Sequence, residues 1–290
     1  MCRFLLALLT FTATLFGQTV GVGTFIHVVA DLETTIHFYR DGLGLELTGA
    51  AGPRAFTQNA VVEGLYDAKG SQSRVALLKV PGSPLGLEFV EFKGIEQKPV
   101  RPDVQDPGAS VLTLTIPDTD SVLSRLKLPR DTALIRDPDG FMIALSQGPM
   151  PGAKLALIVG DTDQTMRLYR DLLGFQPKTG KAPGKAFLLA NARIRTSEAK
   201  VPGTEFEVDF LEFQGADRHP VKTRIHDPGA GVLRLVVRDV DSLLATLKTA
   251  GYSVVSAGGE PVTIGANRHF VILQDPNGFF FQIVPAPSTP

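Results

Sequence analysis

The chain has 290 residues, of which 43% are hydrophobic and 20% charged, with a formal net charge of −1 and one cysteine. That length suits about two domains, each large enough to bury a core. The near-neutral charge leaves no electrostatic footprint for nucleic acid, and no nucleic-acid partner is expected.

The chain begins with MCR, a short basic start, followed by FLLALLTFTATLF (4–16), which carries no charge. This is the pattern of a secretory signal, too short to span a bilayer comfortably as a helix. Processing is expected near Gly17 or Gln18. Residues 1–18 are therefore read as a signal peptide, and the mature chain as exported, periplasmic or secreted, with no membrane contact once processed. Cys2 lies inside this segment. The mature chain would then hold no disulfide, no thiolate nucleophile and no Cys-type zinc site.

TFIHVVA (24–30) is β-branched and apolar and predicts a strand. Asp31 follows as a helix N-cap, Ile36, Tyr39 and Leu43 fall at helical spacing, and Gly42 and Gly44 end the helix. The segment 54–74 is long and polar, and predicts a loop or short helix over a cavity mouth. RVALLKV (74–80) and LGLEFVEF (85–92) are strands. In the second of these, Leu87, Phe89 and Glu91 share one face, and Glu88, Val90 and Phe92 share the other. After QDPGA (105–109) come the strand VLTLTI (111–116), a short helix capped by Asp118, the turn DPDG and the strand FMIALS (141–146). PMPGA (149–153) reads as a linker. Beyond it KLALIV (154–159) leads into a helix capped by Asp161, with Gln164 at the capping-box position. FEVDFLEF (206–213), VLRLVV (232–237), a helix from Asp239 and FFFQIV (279–284) complete the chain.

The chain is thus duplicated. DLETTIHFYRDGLGL (31–45) returns as DTDQTMRLYRDLLGF (161–175), and FVEFKG (89–94) as FLEFQG (210–215). QDPGA (105–109) returns as HDPGA (226–230), and DPDGF (137–141) as DPNGF (275–279). A repeat of this length is a whole domain rather than a solenoid element. The expected domains are 19–148 and 154–285, with the linker between them and a tail at 286–290. Each copy holds two strand–helix–strands modules, four in all. From the second helix cap to the DPxG turn there are 19 residues in the first copy and 36 in the second. The first copy's second module is therefore expected to lack a strand, leaving its cavity more open at one edge.

These motifs resemble the vicinal oxygen chelate superfamily, which includes glyoxalase I, the bleomycin-resistance proteins, extradiol dioxygenases and methylmalonyl-CoA epimerase. The carrying residues are DLETTIHFYRDGLG with DPDGF, and DTDQTMRLYRDLLG with DPNGF, and the likeness spans roughly residues 20 to 285. The resemblance implies an α+β fold in which paired βαβββ modules form two curved, cavity-enclosing mixed sheets. It also implies a divalent metal in each cavity, with four protein ligands in one type of member.

Carried over residue by residue, the ligand positions fall at Thr24 and Lys154, at Val111 and Val232, at Ala144 and Gln282, and at Glu91 and Glu212. Only the last pair offers a carboxylate, and one carboxylate cannot replace the water shell of a divalent ion. No cofactor is therefore expected. His27 falls on the opposite face from Thr24 by strand parity, and reads as a buried neutral histidine bonded to backbone. His37 sits in a helix and reads as solvated, and His219, His226 and His269, in loops or a strand edge, have no carboxylate or second histidine at ligand spacing.

Glu91 and Glu212 leave two readings. Each could sit on a cavity floor and bind an amine or hydroxyl, or act as a general base. Alternatively each closes a strand end through an ion pair with Lys93, Arg74 or Arg224. The expected function is binding of a small organic molecule in an apolar cavity without the family metal, through Glu91, Glu212, Thr24, Lys154 and Gln282, in a monomer. The alternative is a metal-dependent lyase, isomerase or extradiol-type dioxygenase with a non-standard ligand set.

Overall fold

Four Asp-capped helices punctuate the chain at the positions the sequence marks. Asp31, Asp118, Asp161 and Asp239 each accept a hydrogen bond from the backbone N–H three residues on, satisfying a donor that the first helical turn leaves free. The computed structural model describes residues 18–49 and 55–287. The expected signal run at 4–16 lies outside the described residues. Among them, no helix is long and apolar enough to cross a membrane.

The first module contains β1 (Thr19–Val29), α1 (Leu32–Ile36, continued by a π-helical turn over His37–Gly42), β2 (Glu46–Thr48), α2 (Ala60–Leu65), β3 (Gln72–Lys79) and β4 (Gly86–Lys93). The second contains β5 (Ser110–Ile116), α3 (Thr119–Arg125), β6 (Leu134–Arg136) and β7 (Met142–Gln147). The third contains β8 (Gly152–Ile158), α4 (Thr162–Tyr169), β9 (Lys178–Thr179), β10 (Arg193–Lys200) and β11 (Glu207–Gln214). The fourth contains β12 (Gly231–Val237), α5 (Val240–Thr249), β13 (Val262–Ile264), β14 (Arg268–Gln274) and β15 (Phe280–Pro285). This is an α+β fold with two mixed sheets.

One sheet runs β13-β14-β15-β12-β1-β4-β3-β2 and the other β6-β7-β5-β8-β11-β10-β9. The first module therefore pairs with the fourth, and the second with the third. β1 meets β12 antiparallel, with Phe25 opposite Leu233, and β5 meets β8 antiparallel, with Thr113 opposite Lys154. Neither copy closes a sheet by itself. The ligand positions carried over to the first copy, Thr24, Glu91, Val111 and Ala144, therefore do not share one sheet. Thr24 and Glu91 belong to the eight-stranded sheet, and Val111 and Ala144 to the seven-stranded one. A repeat marks module boundaries, but which open edges meet is decided by long-range packing.

The strand missing from the second module is confirmed. Its hairpin β6–β7 corresponds to three strands, β13 to β15, in the fourth module. The polar insertion of the first copy forms α2, whose Val61, Val62 and Leu65, with the following Tyr66, pack with Ile26, Val90, Phe92 and Ile272 on the inner face of the larger sheet. It closes over the sheet that already has the extra strand. The outer faces of both sheets share one core, in which Phe25, Phe89, Leu112, Leu157, Leu233 and Phe281 pack with the helices.

The repeated DPGA segments do more than turn the chain. Asp106 accepts the N–H of His219 at 2.8 Å, and Asp227 accepts the N–H of Lys98 at 2.8 Å. Val100 N–H donates to Pro228 O, and Val221 N–H donates to Pro107 O. Each copy's DPGA segment thus holds the crossover of the other copy. A Cβ on Gly108 or Gly229 would meet backbone oxygen at 2.5 or 2.4 Å, and both residues have φ above +90°. Only glycine fits there.

Candidate functional site

Strand alternation brings four positions to the inner face at the middle of each sheet. In the seven-stranded sheet they are Thr113 on β5, Ala144 on β7, Lys154 on β8 and Asp209 on β11. Thr113 stands beside both Ala144 and Lys154 in the ladder. Lys154 Nζ donates to Asp209 Oδ2 at 2.5 Å. The Asp209 residue is only 6% exposed and Thr113 8%. Asp209 Oδ1 and Thr113 Oγ1 are buried and have no hydrogen-bond partner. Burial pushes the Asp209 carboxyl above its usual range, against the pull of Lys154, and the neighbouring Glu198 and Glu207 charges add to the rise.

This group forms the floor of a cavity of about 620 Å³. Leu123 and Phe187 contribute apolar wall, and the loop over 178–187 supplies Lys178, Lys181 and Lys185 to the lining. Lys178 pairs with Glu198 at 3.2 Å. The cavity lies at the sheet that lacks a strand, where Ala133 and Thr132 before β6 reach the lining.

In the eight-stranded sheet the corresponding positions hold Thr24, Glu88, Arg234 and Gln282. Arg234 Nη1 donates to Glu88 Oε2 at 2.8 Å, and its Nε donates to Gln282 Oε1 at 2.6 Å. Thr24 Oγ1 donates to the same Glu88 oxygen at 3.2 Å. Gln282 is fully buried, and its Nε2 has no partner. A Cβ at Gly23 would stand 3.0 Å from Arg234 Cδ, so the small residue makes room for the guanidinium stem.

Thr24, Lys154 and Gln282 therefore stand where the sequence places them, on inner faces, although Lys154 lies in one sheet and the other two in the other. Val111 and Val232 lie on the correct face, one inward step from Thr113 and Arg234. Glu91 and Glu212 require correction, because neither faces a cavity. Glu91 Oε2 accepts the N–H of Leu32 at 2.9 Å and the Nε–H of Arg74 at 2.7 Å. Glu212 Oε2 accepts the backbone N–H and the hydroxyl of Thr162. Both carboxylates anchor a helix N-terminus on the outer face. The inward carboxylates are Glu88 and Asp209, three residues earlier, and an odd shift along a strand exchanges the faces. The alternation already evident in LGLEFVEF separates Glu88 from Glu91 and was the signal that could have found it.

Residues 153–283 match the family model of the Glyoxalase/Bleomycin resistance protein/Dioxygenase superfamily. Glyoxalase I from Zea mays superposes with a TM-score of 0.59 at 16% identity, covering 91% of this chain and 92% of that one. The second copy of the repeat is thus similar to this superfamily. A putative dioxygenase from Bacillus subtilis superposes with a TM-score of 0.57 at 15% identity, covering 93% of this chain and 86% of that one. At such identities the likeness concerns the glyoxalase-like fold alone. A comparison with curated proteins returns no match.

A further polar cluster lies on the outer side. His27 Nε2 is 2.9 Å from Asp137 Oδ2, and its Nδ1 is 3.3 Å from Ala230 O. His27, Asp137 and Asp139 are all buried, with ligand-type atoms within 4.8 Å of one another. Their oxygens are already engaged. Asp137 accepts from Tyr39 Oη, Asp139 N–H and Phe141 N–H, and Asp139 accepts from Ala30 N–H and Thr35 Oγ1. The position of His27 on the helix side and its bond to backbone, at Ala230 O, are as expected. Burial pushes its pKa down, and Asp137, aided by Asp139 and Ala230, more than offsets this, so the net shift is upward.

Proposed function

We propose that this protein binds a small organic molecule in the cavity of the seven-stranded sheet, without a divalent metal. The observation that carries the reading is the cavity floor, where Lys154 is paired to Asp209 while Asp209 Oδ1 and Thr113 Oγ1 are buried and unpartnered. Unpaired buried polar atoms are costly, and a ligand entering the cavity would satisfy them. A volume of about 620 Å³ lies within the range of small-molecule sites. The polar cluster of the other sheet is internally paired apart from Gln282 Nε2 and sits beneath α2, which supports assigning binding to the more open cavity.

The donor sets support the absence of a metal. Each cluster contains one carboxylate, and in each that carboxylate already binds a cationic side chain, Lys154 or Arg234. Ala144 offers no ligand atom. An ion would have to displace a resident ammonium or guanidinium and would find too few oxygen or nitrogen donors.

Two measurements test this reading. Elemental analysis of the purified protein is expected to find no stoichiometric transition metal. A tightly held ion that is lost on Asp209→Ala or Glu88→Ala would sink the metal-free reading. Thermal-shift screening against a chemically diverse panel is expected to give hits that disappear when Ala144→Phe or Ala182→Trp fills the cavity. Hits indifferent to both variants would place binding elsewhere.

The uncharged run at 4–16 behind a basic start supports export of the mature chain. N-terminal sequencing of protein from an exporting host is expected to begin just after Gly17 or Gln18. Recovery of unprocessed chain in the cytoplasm would exclude export. The exchange of edges between modules 1 and 4 and between 2 and 3 supports a monomer, because both sheets are completed within one chain. Light scattering that returned a dimer mass would overturn that.

A further inference from the structure

We infer that the ligand of the seven-stranded-sheet cavity is a hydroxylated organic anion, with its hydroxyl on the floor and its anionic group under the lysine-bearing loop. This rests on the binding reading above and names the chemical class that the site would take.

The floor sets the first requirement. Asp209 Oδ1 is an acceptor with nothing to accept from, and Thr113 Oγ1 is a hydroxyl with no partner. Lys154 donates to Asp209 Oδ2, which leaves further ammonium hydrogens free, since an ammonium carries three. A group that satisfies all three residues must donate to a carboxylate and accept from an ammonium. A hydroxyl does both. A bare carboxylate or phosphate on the floor would oppose Asp209, and a bare ammonium would oppose Lys154. Neither fits.

The rim sets the second. The cavity lining carries Arg130, Lys178, Lys181 and Lys185 above the floor, against Asp131, Glu198 and Glu207. Lys178 and Glu198 are paired with each other. Lys181 and Lys185 have no ion-pair partner among the described residues, and both lie on the short loop that lines the opening together with Gly184, Pro183 and Phe187. Two unpaired ammoniums on one loop, in the same lining as the Lys154, Asp209 and Thr113 floor, put positive charge on one wall and mixed donors and acceptors on another. Ala186 and Phe187, from the same loop, contribute apolar lining that suits a short hydrocarbon body between the two ends.

The test uses two matched series that differ in length. One is 4-hydroxybenzoate, benzoate, 4-hydroxybenzyl alcohol and 4-hydroxybenzylamine. The other is the corresponding series built on 3-phenylpropionate. Binding to the purified full chain is measured by calorimetry or saturation-transfer NMR. In at least one series the hydroxylated anion is expected to bind at least tenfold more tightly than the anion without the hydroxyl, the neutral alcohol and the amine. Lys181→Ala with Lys185→Ala, both on the loop, is expected to erase the preference for the anion over the alcohol. Thr113→Val is expected to erase the preference for the hydroxyl, and the loop variant should leave that preference in place. The lysine substitutions lie outside the core, so they keep the test valid even if Thr113→Val fails to fold. Alcohols or amines that bind as well as the anions, and are expelled by Ala182→Trp, would overturn this inference and leave the binding reading intact. If no compound in either series or in the diverse panel responds to Ala182→Trp or Ala144→Phe, both fall.

Discussion

His27 Nε2 lies 2.9 Å from the Asp137 carboxylate, and the contact joins a strand of one sheet to the hairpin turn of the other. The second copy keeps the rest of this arrangement without the histidine. Tyr169 Oη donates to Asp275 as Tyr39 Oη does to Asp137, but Leu157 replaces His27 and Asn277 replaces Asp139. The first copy holds a base and an acid that the second lacks, and together they add no net charge to its cluster whether both are ionised or both neutral.

The His27 pKa lies above its unfolded value near 6.5, because Asp137 outweighs the effect of burial. Its contribution to stability is therefore fully present below about pH 6.5 and is lost as pH rises through the raised folded value. Urea denaturation of wild type and His27→Leu from pH 5 to 9 is expected to show the largest difference at the acid end. There the variant loses about 3 kcal/mol, the cost of leaving a buried charge unpaired. The difference should shrink toward alkaline pH. A gap that widened with pH would contradict a protonated His27.

The double variant His27→Leu with Asp139→Asn copies the second cluster into the first. It is expected to recover most of the stability lost by His27→Leu alone, because Asp137 then keeps an uncharged neighbour, as Asp275 does beside Asn277, instead of a second buried carboxylate. Additive losses would show that the two positions do not share one electrostatic network.

Glu91→Gln is expected to cost about 1–3 kcal/mol by denaturation, because the carboxylate holds both the Leu32 N–H and Arg74. Ligand affinity should stay unchanged, since Glu91 faces the helix side. A loss of binding with intact stability would return Glu91 to a cavity role.

Arg234→Met is expected to lower stability by about 2 kcal/mol, between the ranges for exposed and buried ion pairs, since Glu88 and Gln282 each lose their bond to Arg234. Glu88→Gln added to Arg234→Met should restore part of that loss, as measured by the urea midpoint.

The triple variant Thr113→His, Ala144→Glu and Lys154→His leaves Asp209 in place and supplies two imidazoles and two carboxylates on four neighbouring strand positions. It is expected to take up one Zn²⁺ or Ni²⁺ per chain, and to gain thermal stability from the metal by mass action. The wild type should gain none. Failure of the folded variant to bind either ion would show that these four positions do not converge.

Much of this structure was legible in the residues. The helix caps at Asp31, Asp118, Asp161 and Asp239 rely on local hydrogen bonds, and the sequence marks them because an N-cap answers to residues three positions away. The absent strand of the second module follows from a count of residues before DPDG. The module pairing was not legible, because β1 meets β12 across most of the chain and no local pattern encodes that choice. Glu91 and Glu212 misled for a different reason. They recur in both copies because both copies need a helix anchored at the same point, so recurrence marked a shared scaffold duty. Lys154 was marked as a site position and Asp209 was not, because their pairing requires the parallel register of β8 and β11, which places Leu155 beside Val208.

The pairing of modules also sets an order of assembly. The seven-stranded sheet draws on residues 110–214, a contiguous stretch, whereas the eight-stranded sheet takes its strands from the two ends of the described chain. The sheets nest like inner and outer parentheses. The inner sheet can close while the outer is still incomplete, but β1 waits with an unpaired edge until β12 has been made. Such an edge is open to mispairing. During synthesis, then, the interval between the first strand and its distant neighbour is when this protein is most exposed to aggregation, and refolding should show the sequence-distant sheet forming last.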